Sequence, residues 1–281
     1  MQLIAALRFT EYSKGSDKKM AIYDYTGQEI ETGGGGSSDS LTERDYYCAF
    51  SLFETIGVVG DSYANGYNAE TDGGSAYNHP ALSWPQILAR RNGVTVTNYA
   101  TGGLSTRSFI TNTAVGLPKL ESDPAKCLYL LVLERNDYNY ENDGHAGYLG
   151  AITDISGYSL GSYPDTFYGN YATIIERILA HAPNAKLVMI AGDYSTSNTL
   201  ATQYNEAVAA IAEYYQIPCI KQRDEWYFAS GSNSYYRTKV GGHPTSVAYC
   251  GMELCIERLF NKCVKDNFDY FKYYFGTTAT T

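Results

Sequence analysis

The amino-acid sequence predicts an α/β protein whose mostly parallel sheet is covered by helices on both faces. Short apolar segments alternate with longer amphipathic segments, which is the pattern of strands joined by crossover helices. The alternation continues over most of the 281 residues without an internal repeat, and a hydrophobic content of 44% is sufficient for a large core. Such a sheet is buried on both faces, because its crossover helices lie against them.

Each predicted element has its own signal in the sequence. Short apolar runs predict strands at residues 55–59, 94–99, 127–133, 186–191 and 217–220. Apolar residues at helical spacing predict helices at 83–91, 168–182, 198–215 and 245–265. The first helix ends before Gly93, a natural stop signal. In the second helix one apolar face contains Ile174, Ile175, Ile178 and Leu179, and in the last helix one face contains Ala248, Met252, Cys255, Ile256 and Leu259.

Residues 1–40 are predicted to form an appendage to this domain. Apolar segments at 2–9 and 20–25 flank a polar cluster at 14–18, which is the pattern of a β-hairpin. The Gly/Ser-rich run at 33–38 has the composition of a flexible linker. The main domain is therefore expected to cover residues 41–281, with its first element near Tyr46.

Charge and composition exclude several classes of partner. A formal net charge of −9 argues against nucleic acid and anionic membranes, and no apolar run approaches the roughly 20 residues that span a bilayer. Residues 1–6 are too short for a signal-peptide core and Arg8 interrupts them, so the compartment stays open between cytoplasmic and exported or virion-associated by another route. The cysteines form no Cys-x-x-Cys pair, and the histidines lack ligand spacing, so we expect no metal or cofactor.

Tyrosine is unusually abundant, with 28 Tyr against 10 Phe and 2 Trp. Many of these tyrosines lie among glycines and polar residues in two segments that follow strands, 64–78 and 138–148. An aromatic ring with a polar tip suits the face of a sugar better than a dry lipid pocket. The alternative is that these segments are simply tyrosine-rich surface loops.

Two short motifs provide a candidate acyl-transfer pair. Gly60-Asp61-Ser62 follows the first predicted strand directly, where a helix could begin and its unpaired N–H groups would stabilise negative charge. Taken alone, this motif fits a polar turn equally well. Near the other end of the chain, His243 lies on a loop just before the last long helix. A serine nucleophile needs a histidine base of this kind.

Two further motifs offer hydrogen-bond donors for a tetrahedral oxyanion. The segment 101–106 follows the second strand, and a glycine there lets a main-chain N–H approach the substrate closely. Asn136, directly before Asp137, follows the third strand, and its side-chain amide is a neutral donor. Each motif alone fits an ordinary turn, but they occur in order, each at a strand end.

In this order, the four motifs resemble those of the SGNH (GDSL) hydrolase family over residues 55–265. The resemblance implies a flavodoxin-like, three-layer α/β/α sandwich with a mostly parallel five-stranded sheet. It also implies that Ser62 is the nucleophile and His243 the general base. The oxyanion would be bound by the N–H groups of Ser62 and Gly103 and by the Asn136 amide, with Gly102 as the alternative to Gly103.

Two positions depart from the family pattern. Val240 stands three residues before the histidine, where the family usually has an aspartate that orients the base. We therefore expect a Ser-His dyad, with the imidazole oriented by a main-chain carbonyl near Val240 or by Asp224 or Glu225. Glu134 replaces a glycine that normally precedes the Asn-Asp pair by two, and a carboxylate facing the oxyanion would weaken catalysis.

The resemblance and the tyrosine-rich segments together predict a serine ester hydrolase for short acyl groups, most plausibly O-acetyl groups on carbohydrate. Its substrate would be an acylated small molecule or polysaccharide. One alternative is a catalytically weak or inactive module for carbohydrate binding or structure in a phage tail or surface assembly. Another is a thioesterase or lysophospholipase, which would use the same residues. The sequence does not indicate the oligomeric state.

Overall fold

The computed structural model describes residues 48–72, 75–192, 199–222, 239–240 and 243–272. The hairpin and linker predicted in residues 1–40 lie outside these ranges. The division of the chain at residue 40 therefore stays a prediction.

A five-stranded parallel sheet forms the centre of the described fold. The strands in chain order are β1 (Thr55–Gly60), β2 (Tyr67–Asp72), β3 (Ser75–Asn78), β4 (Thr95–Ala100), β5 (Leu128–Val132), β6 (Lys186–Ala191), β7 (Cys219–Lys221), β8 (Lys239–Val240) and β9 (His243–Pro244). The main sheet has the spatial order β4-β1-β5-β6-β7 with all neighbours parallel. This is the flavodoxin-like order 2-1-3-4-5, so the predicted sheet is confirmed. Two antiparallel pairs, β2–β3 and β8–β9, lie outside it.

The connecting segments are mostly helical. The helices are α1 (Ser62–Asn65), α2 (Trp84–Asn92), α3 (Thr106–Thr111), α4 (Leu117–Ser122), α5 (Arg135–Asn142), α6 (Thr153–Ser156), α7 (Phe167–His181), α8 (Thr199–Tyr214), α9 (Ser246–Asp266) and α10 (Phe268–Phe271). Two 3-10 turns also form, at Ala49–Leu52 and Pro80–Leu82. The four predicted helices are present as α2, α7, α8 and α9, with their ends within about a residue of those expected. Within the described ranges, no helix combines the length and the apolarity that a membrane span requires.

The helices form two layers, one on each face of the sheet. Alternate residues of β5 point to opposite sides: Tyr129 and Leu131 contribute to one apolar core, and Leu128 and Leu130 to the other. The first core is closed by α3, α4, α7 and α8, and the second by α2, α9 and α10. The predicted three-layer sandwich is therefore confirmed.

The register of the central strands decides where their loops emerge. Gly60, the last residue of β1, is paired with Ala100 at the end of β4 and with Val132 at the end of β5. Three neighbouring strands therefore end in one row. The segments that follow these three residues must leave the same edge of the sheet.

Two segments that the sequence suggested as loops have regular structure. Residues 67–78 contain the β2–β3 hairpin, and residues 135–142 form α5. The sequence of α5 is rich in Asn, Asp and Tyr, which are weak helix formers, so its helical signal is poor. Tertiary hydrogen bonds hold it instead: the Glu141 carboxylate accepts from the main-chain N–H groups of Gly147 and Leu149 and from the hydroxyl of Tyr204.

Gly57 provides a test of the central packing. A Cβ atom at this position would lie 2.6 Å from Cδ1 of Tyr129, whose ring is buried and whose hydroxyl accepts from the Lys126 N–H. We expect Gly57→Ala to lower the unfolding free energy by about 1 to 3 kcal/mol, because the ring must move within a packed core. Urea denaturation measures this change.

The matched control is Gly157→Ala, at an exposed position where the nearest atom to an added Cβ lies 3.4 Å away. This control should change stability by much less. Equal stability of the two variants would contradict the packing argument.

Candidate active site

Ser62 lies at the point where β1 passes into α1. Asp61 caps this single helical turn, and its Oδ1 accepts a hydrogen bond of 2.8 Å from the Tyr63 N–H. The cap turns the chain sharply after Gly60, so that the serine side chain stands at the carboxyl edge of the sheet. Ser62 is 6% exposed.

His243 comes from a distant part of the chain to meet this serine. It begins the short strand β9, whose antiparallel pairing places it opposite Val240 of β8. Its Nε2 atom lies 3.0 Å from Ser62 Oγ, although 181 residues separate the two positions. The structure thus brings together the two residues that the sequence suggested as nucleophile and base.

Asn136 and the glycine segment also reach this edge. The Asn136 side-chain Nδ2 donates to the Leu104 carbonyl at 3.0 Å and to Asp61 Oδ2 at 3.3 Å. It therefore bridges the residue before the serine and the loop that contains Gly103. Gly103 has a φ of +76°, a left-handed conformation that favours glycine, whereas the backbone of Gly102 does not require it.

The buried carboxylate of Asp137 links the segment that follows Gly103 to the helix that carries Asn136. Asp137, at 0% exposure, accepts from the main-chain N–H of Thr106 at 3.0 Å and from its hydroxyl at 2.6 Å. The hydroxyl of Tyr148 lies 3.0 Å from the same carboxylate and accepts from the Asn170 amide. Burial raises the pKa of Asp137 to about 7, and the hydrogen bonds from Thr106 and Tyr148 oppose this rise.

Glu134, which departs from the family pattern near the candidate oxyanion site, is hydrogen-bonded to the main chain. Its Oε1 accepts a hydrogen bond of 2.5 Å from the N–H of Gly192, directly after β6. Glu134 also contributes to a cavity of about 30 Å³, which it lines together with Asp61, Tyr63, Val132, Arg135, Gly192, Gln222 and Met252. The guanidinium of Arg135 lies over the Tyr63 ring, 4.3 Å from its centroid.

Sequence reasoning missed several side chains around the Ser-His pair. The Tyr67 ring packs against the His243 ring with 4.4 Å between centroids, and the Tyr63 ring lies 5.6 Å away. Tyr249 of α9 donates its hydroxyl to the Tyr67 carbonyl at 2.8 Å and lies 3.3 Å from the Ser62 carbonyl. The abundance of tyrosine was visible in the sequence, but these contacts depend on the folded chain.

The structure does not test the acidic side chains that were suggested to orient His243. Asp224 and Glu225, the acidic candidates for orienting His243, lie outside the described residues. In the parts of the chain that the structure does describe, no group of three or more His, Cys, Asp or Glu side chains could hold a metal ion.

The family is established by comparison with known proteins. The model of the GDSL-like lipase/acylhydrolase family matches residues 58–249, more than half of the chain. The chain belongs to this family. It is therefore a carboxylic ester hydrolase of the SGNH/GDSL type, as the sequence motifs predicted. No curated protein matches its sequence.

Several solved structures have the same fold as this hydrolase. The psychrotrophic esterase EstA of Pseudoalteromonas sp., inhibited by monoethylphosphonate, is 12% identical over 75% of this chain and 99% of its own, with a TM-score of 0.51. A candidate GDSL-like lipase from Bacteroides ovatus is 17% identical over 74% and 98%, with a TM-score of 0.52. A family two carbohydrate esterase from Cellvibrio japonicus is 14% identical over 75% and 62%, with a TM-score of 0.51. Such identities establish the fold alone.

The buried Asp137 predicts a specific dependence of stability on pH. Its pKa is raised from 3.8 to about 7, so between these values the folded hydrolase keeps a proton that the unfolded chain releases. The unfolding free energy therefore falls as pH rises through this window, and the contribution of the group is greatest below it. Across the whole window this fall amounts to at most about 4 kcal/mol, and we expect Asp137→Asn to remove it. Urea denaturation at a series of pH values measures it.

Asp123→Asn is the control, because a hydrogen bond from Lys119 lowers the pKa of this partly exposed carboxyl instead of raising it. Its removal should leave the slope between the two pH limits unchanged. If Asp137→Asn kept the full wild-type slope, Asp137 would not be the group that binds the proton.

Proposed function

We propose that this hydrolase removes short acyl groups, above all O-acetyl groups on carbohydrate, through a Ser62-His243 dyad. The observation that carries the proposal is the 3.0 Å contact between Ser62 Oγ and His243 Nε2 at the carboxyl edge of the sheet. This distance is that of a hydrogen bond, and it allows the proton of the hydroxyl to pass to the imidazole.

In the proposed first half-reaction, Ser62 Oγ attacks the acyl carbonyl carbon and His243 Nε2 takes the hydroxyl proton. The tetrahedral intermediate then collapses, the bond between the acyl carbon and the alcohol oxygen breaks, and the imidazolium returns the proton to the leaving alcohol. In the second half, water attacks the acyl-serine with His243 again as base. The products are the carboxylic acid and the free alcohol.

The oxyanion is assigned to three donors: the N–H groups of Ser62 and Gly103 and the Asn136 amide. Asn136 Nδ2 already lies between Asp61 and the Leu104 carbonyl, on the same side as the serine turn. Its contact with Asp61, 3.3 Å long, is the weaker of the two. The hydrogen in this longer contact is the one that we assign to the oxyanion.

Polar side chains close to the serine turn support a substrate that carries polar groups. The cavity of about 30 Å³ is lined by Asp61 and Tyr63, the chain neighbours of Ser62, and also by Glu134, Arg135 and Gln222. The buried Gln222 Nε2 has no hydrogen-bond partner among the described residues, so it could donate to a polar group of the substrate. The similar fold of a carbohydrate esterase adds support for a sugar ester.

The dyad is tested with single substitutions and a covalent probe. Ser62→Ala and His243→Ala should each lower kcat/KM for p-nitrophenyl acetate at least about 1,000-fold, because each removes one half of the proton-transfer pair. A fluorophosphonate probe should label the wild type and leave Ser62→Ala unlabelled. Ser159→Ala, in an exposed turn, is the control and should retain full activity and labelling.

A folded wild-type protein that hydrolyses no ester and takes up no probe would overturn the dyad. It would favour the alternative of a binding or structural module.

The acyl preference is tested with p-nitrophenyl esters from acetyl to octanoyl. We expect kcat/KM to be highest for the acetyl ester, because the tyrosine- and glycine-rich segments that follow the strands suit a small polar substrate better than a long acyl chain. Acetate release from acetylated xylan, compared with the same assay on Ser62→Ala, tests the carbohydrate part. A clear preference for octanoyl esters or thioesters would replace this proposal with a lipase or thioesterase.

A further inference from the structure

Tyr67 lies closer to the general base than the other aromatic side chains described around it. Its ring centroid is 4.4 Å from that of His243, and the two ring planes are tilted by 56°. The Tyr63 ring is more distant, at 5.6 Å, and carries the Arg135 guanidinium over it. The face of a tyrosine ring attracts a cation within about 6 Å of its centroid.

The local fold holds Tyr67 in this place. Gly66 ends α1 with a φ of +84°, and a Cβ there would meet the His79 carbonyl at 2.5 Å. This turn returns the chain over the site only five residues after Ser62. The Tyr249 hydroxyl then binds the Tyr67 carbonyl at 2.8 Å. The ring is thus attached to the same short turn as the nucleophile.

We propose that Tyr67 is a positioning residue whose ring holds the His243 imidazole and stabilises its protonated form during turnover. The proposal rests on the proposed function, in which His243 becomes an imidazolium after it deprotonates Ser62. The ring would also replace part of the effect of the aspartate that usually stands at the position of Val240 and stabilises that charge. In this hydrolase, part of that stabilisation comes from an aromatic face.

Other groups around His243 act in different ways. Asp61 precedes α1 and favours a positive imidazole, whereas Arg135, beyond Tyr63, disfavours it.

Tyr249 of α9 is bound to two main-chain carbonyls, and Glu253, one turn further along, pairs with Arg91 at 3.0 Å. Strand β8 faces β9 through its main chain. Among the described residues, Tyr67 makes the shortest ring contact with His243, so its removal should have the clearest effect.

The test compares Tyr67→Leu, which removes the ring, with Tyr67→Phe, which keeps it. For Tyr67→Leu we expect the pKa of His243 to fall by about 0.5 to 1, and kcat for p-nitrophenyl acetate to fall about threefold to tenfold, with little change in KM. Tyr67→Phe should stay within about twofold of the wild type. NMR titration of the imidazole, assigned with His243→Ala, gives the pKa, and the pH profile of kcat/KM gives it independently.

Tyr270→Leu is the matched control, because Tyr270 is also partly buried but its hydroxyl binds Leu187 near the opposite end of the sheet. It should reproduce a general loss of stability without moving the His243 pKa. If Tyr67→Leu does not fold, Tyr67→Trp replaces it, and the stronger attraction of an indole face should raise the His243 pKa above that of Tyr67→Phe.

An unchanged His243 pKa in Tyr67→Leu, or in Tyr67→Trp relative to Tyr67→Phe, would overturn the proposal even if Ser62→Ala abolishes hydrolysis. Conversely, a wild type without esterase activity would defeat the proposed function, while the NMR titration would still decide whether Tyr67 stabilises the imidazolium.

Discussion

The pairing of β1 with β4 on one side and β5 on the other determines the geometry of the whole site. Gly60, Ala100 and Val132 end their strands in one row, so the loops after the two outer strands each begin about 5 Å from the loop after β1. Ser62 lies two residues after the end of β1, Gly103 three residues after the end of β4, and Asn136 four residues after the end of β5. Parallel register therefore converts three positions that are far apart in sequence into one cluster. A shift of one strand by a single residue would separate the proposed oxyanion donors from the proposed nucleophile.

Burial of polar groups is the second constraint, because the loops at this edge are held mainly by hydrogen bonds. A buried carboxylate is costly unless its oxygens are satisfied, and Asp137 accepts from both the N–H and the hydroxyl of Thr106. Through Tyr148 the same network reaches Asn170 on α7. The segment of Gly103 and the helix of Asn136 are thus joined through one carboxylate. Loops held in this way would keep the proposed oxyanion donors in place before a substrate binds.

The two departures from the family pattern have different structural meanings. Glu134 is directed to the Gly192 N–H at the end of β6, where it joins two neighbouring strand ends. Its carboxylate therefore has a structural contact of its own. Val240 is the partner of His243 in a two-residue antiparallel pair, so its main chain helps to place the histidine although its side chain cannot bind the imidazole as a carboxylate would. The rings of Tyr63 and Tyr67 lie beside the His243 imidazole.

The layered fold and the order of its main elements were predictable, because long apolar faces at helical or strand spacing leave few alternatives. The short helices α3 and α5 were not, since their residues have weak helical propensity and depend on tertiary hydrogen bonds. Ser62, Asn136 and His243 could be suggested from their places at strand ends and before a helix. Tyr67 and Tyr249 could not, because nothing in their local sequence indicates which distant groups they contact.

The sequence by itself determined that this chain forms a parallel sheet between helices and carries a hydrolase-type set of polar residues, since periodicity and strand-end motifs are local properties. Only the tertiary structure decided that Ser62 Oγ and His243 Nε2 approach within 3.0 Å, that Glu134 binds Gly192, and that Tyr67 faces the imidazole. These contacts join residues whose separation is set by the register of the sheet and by the packing of α9, which no single segment encodes.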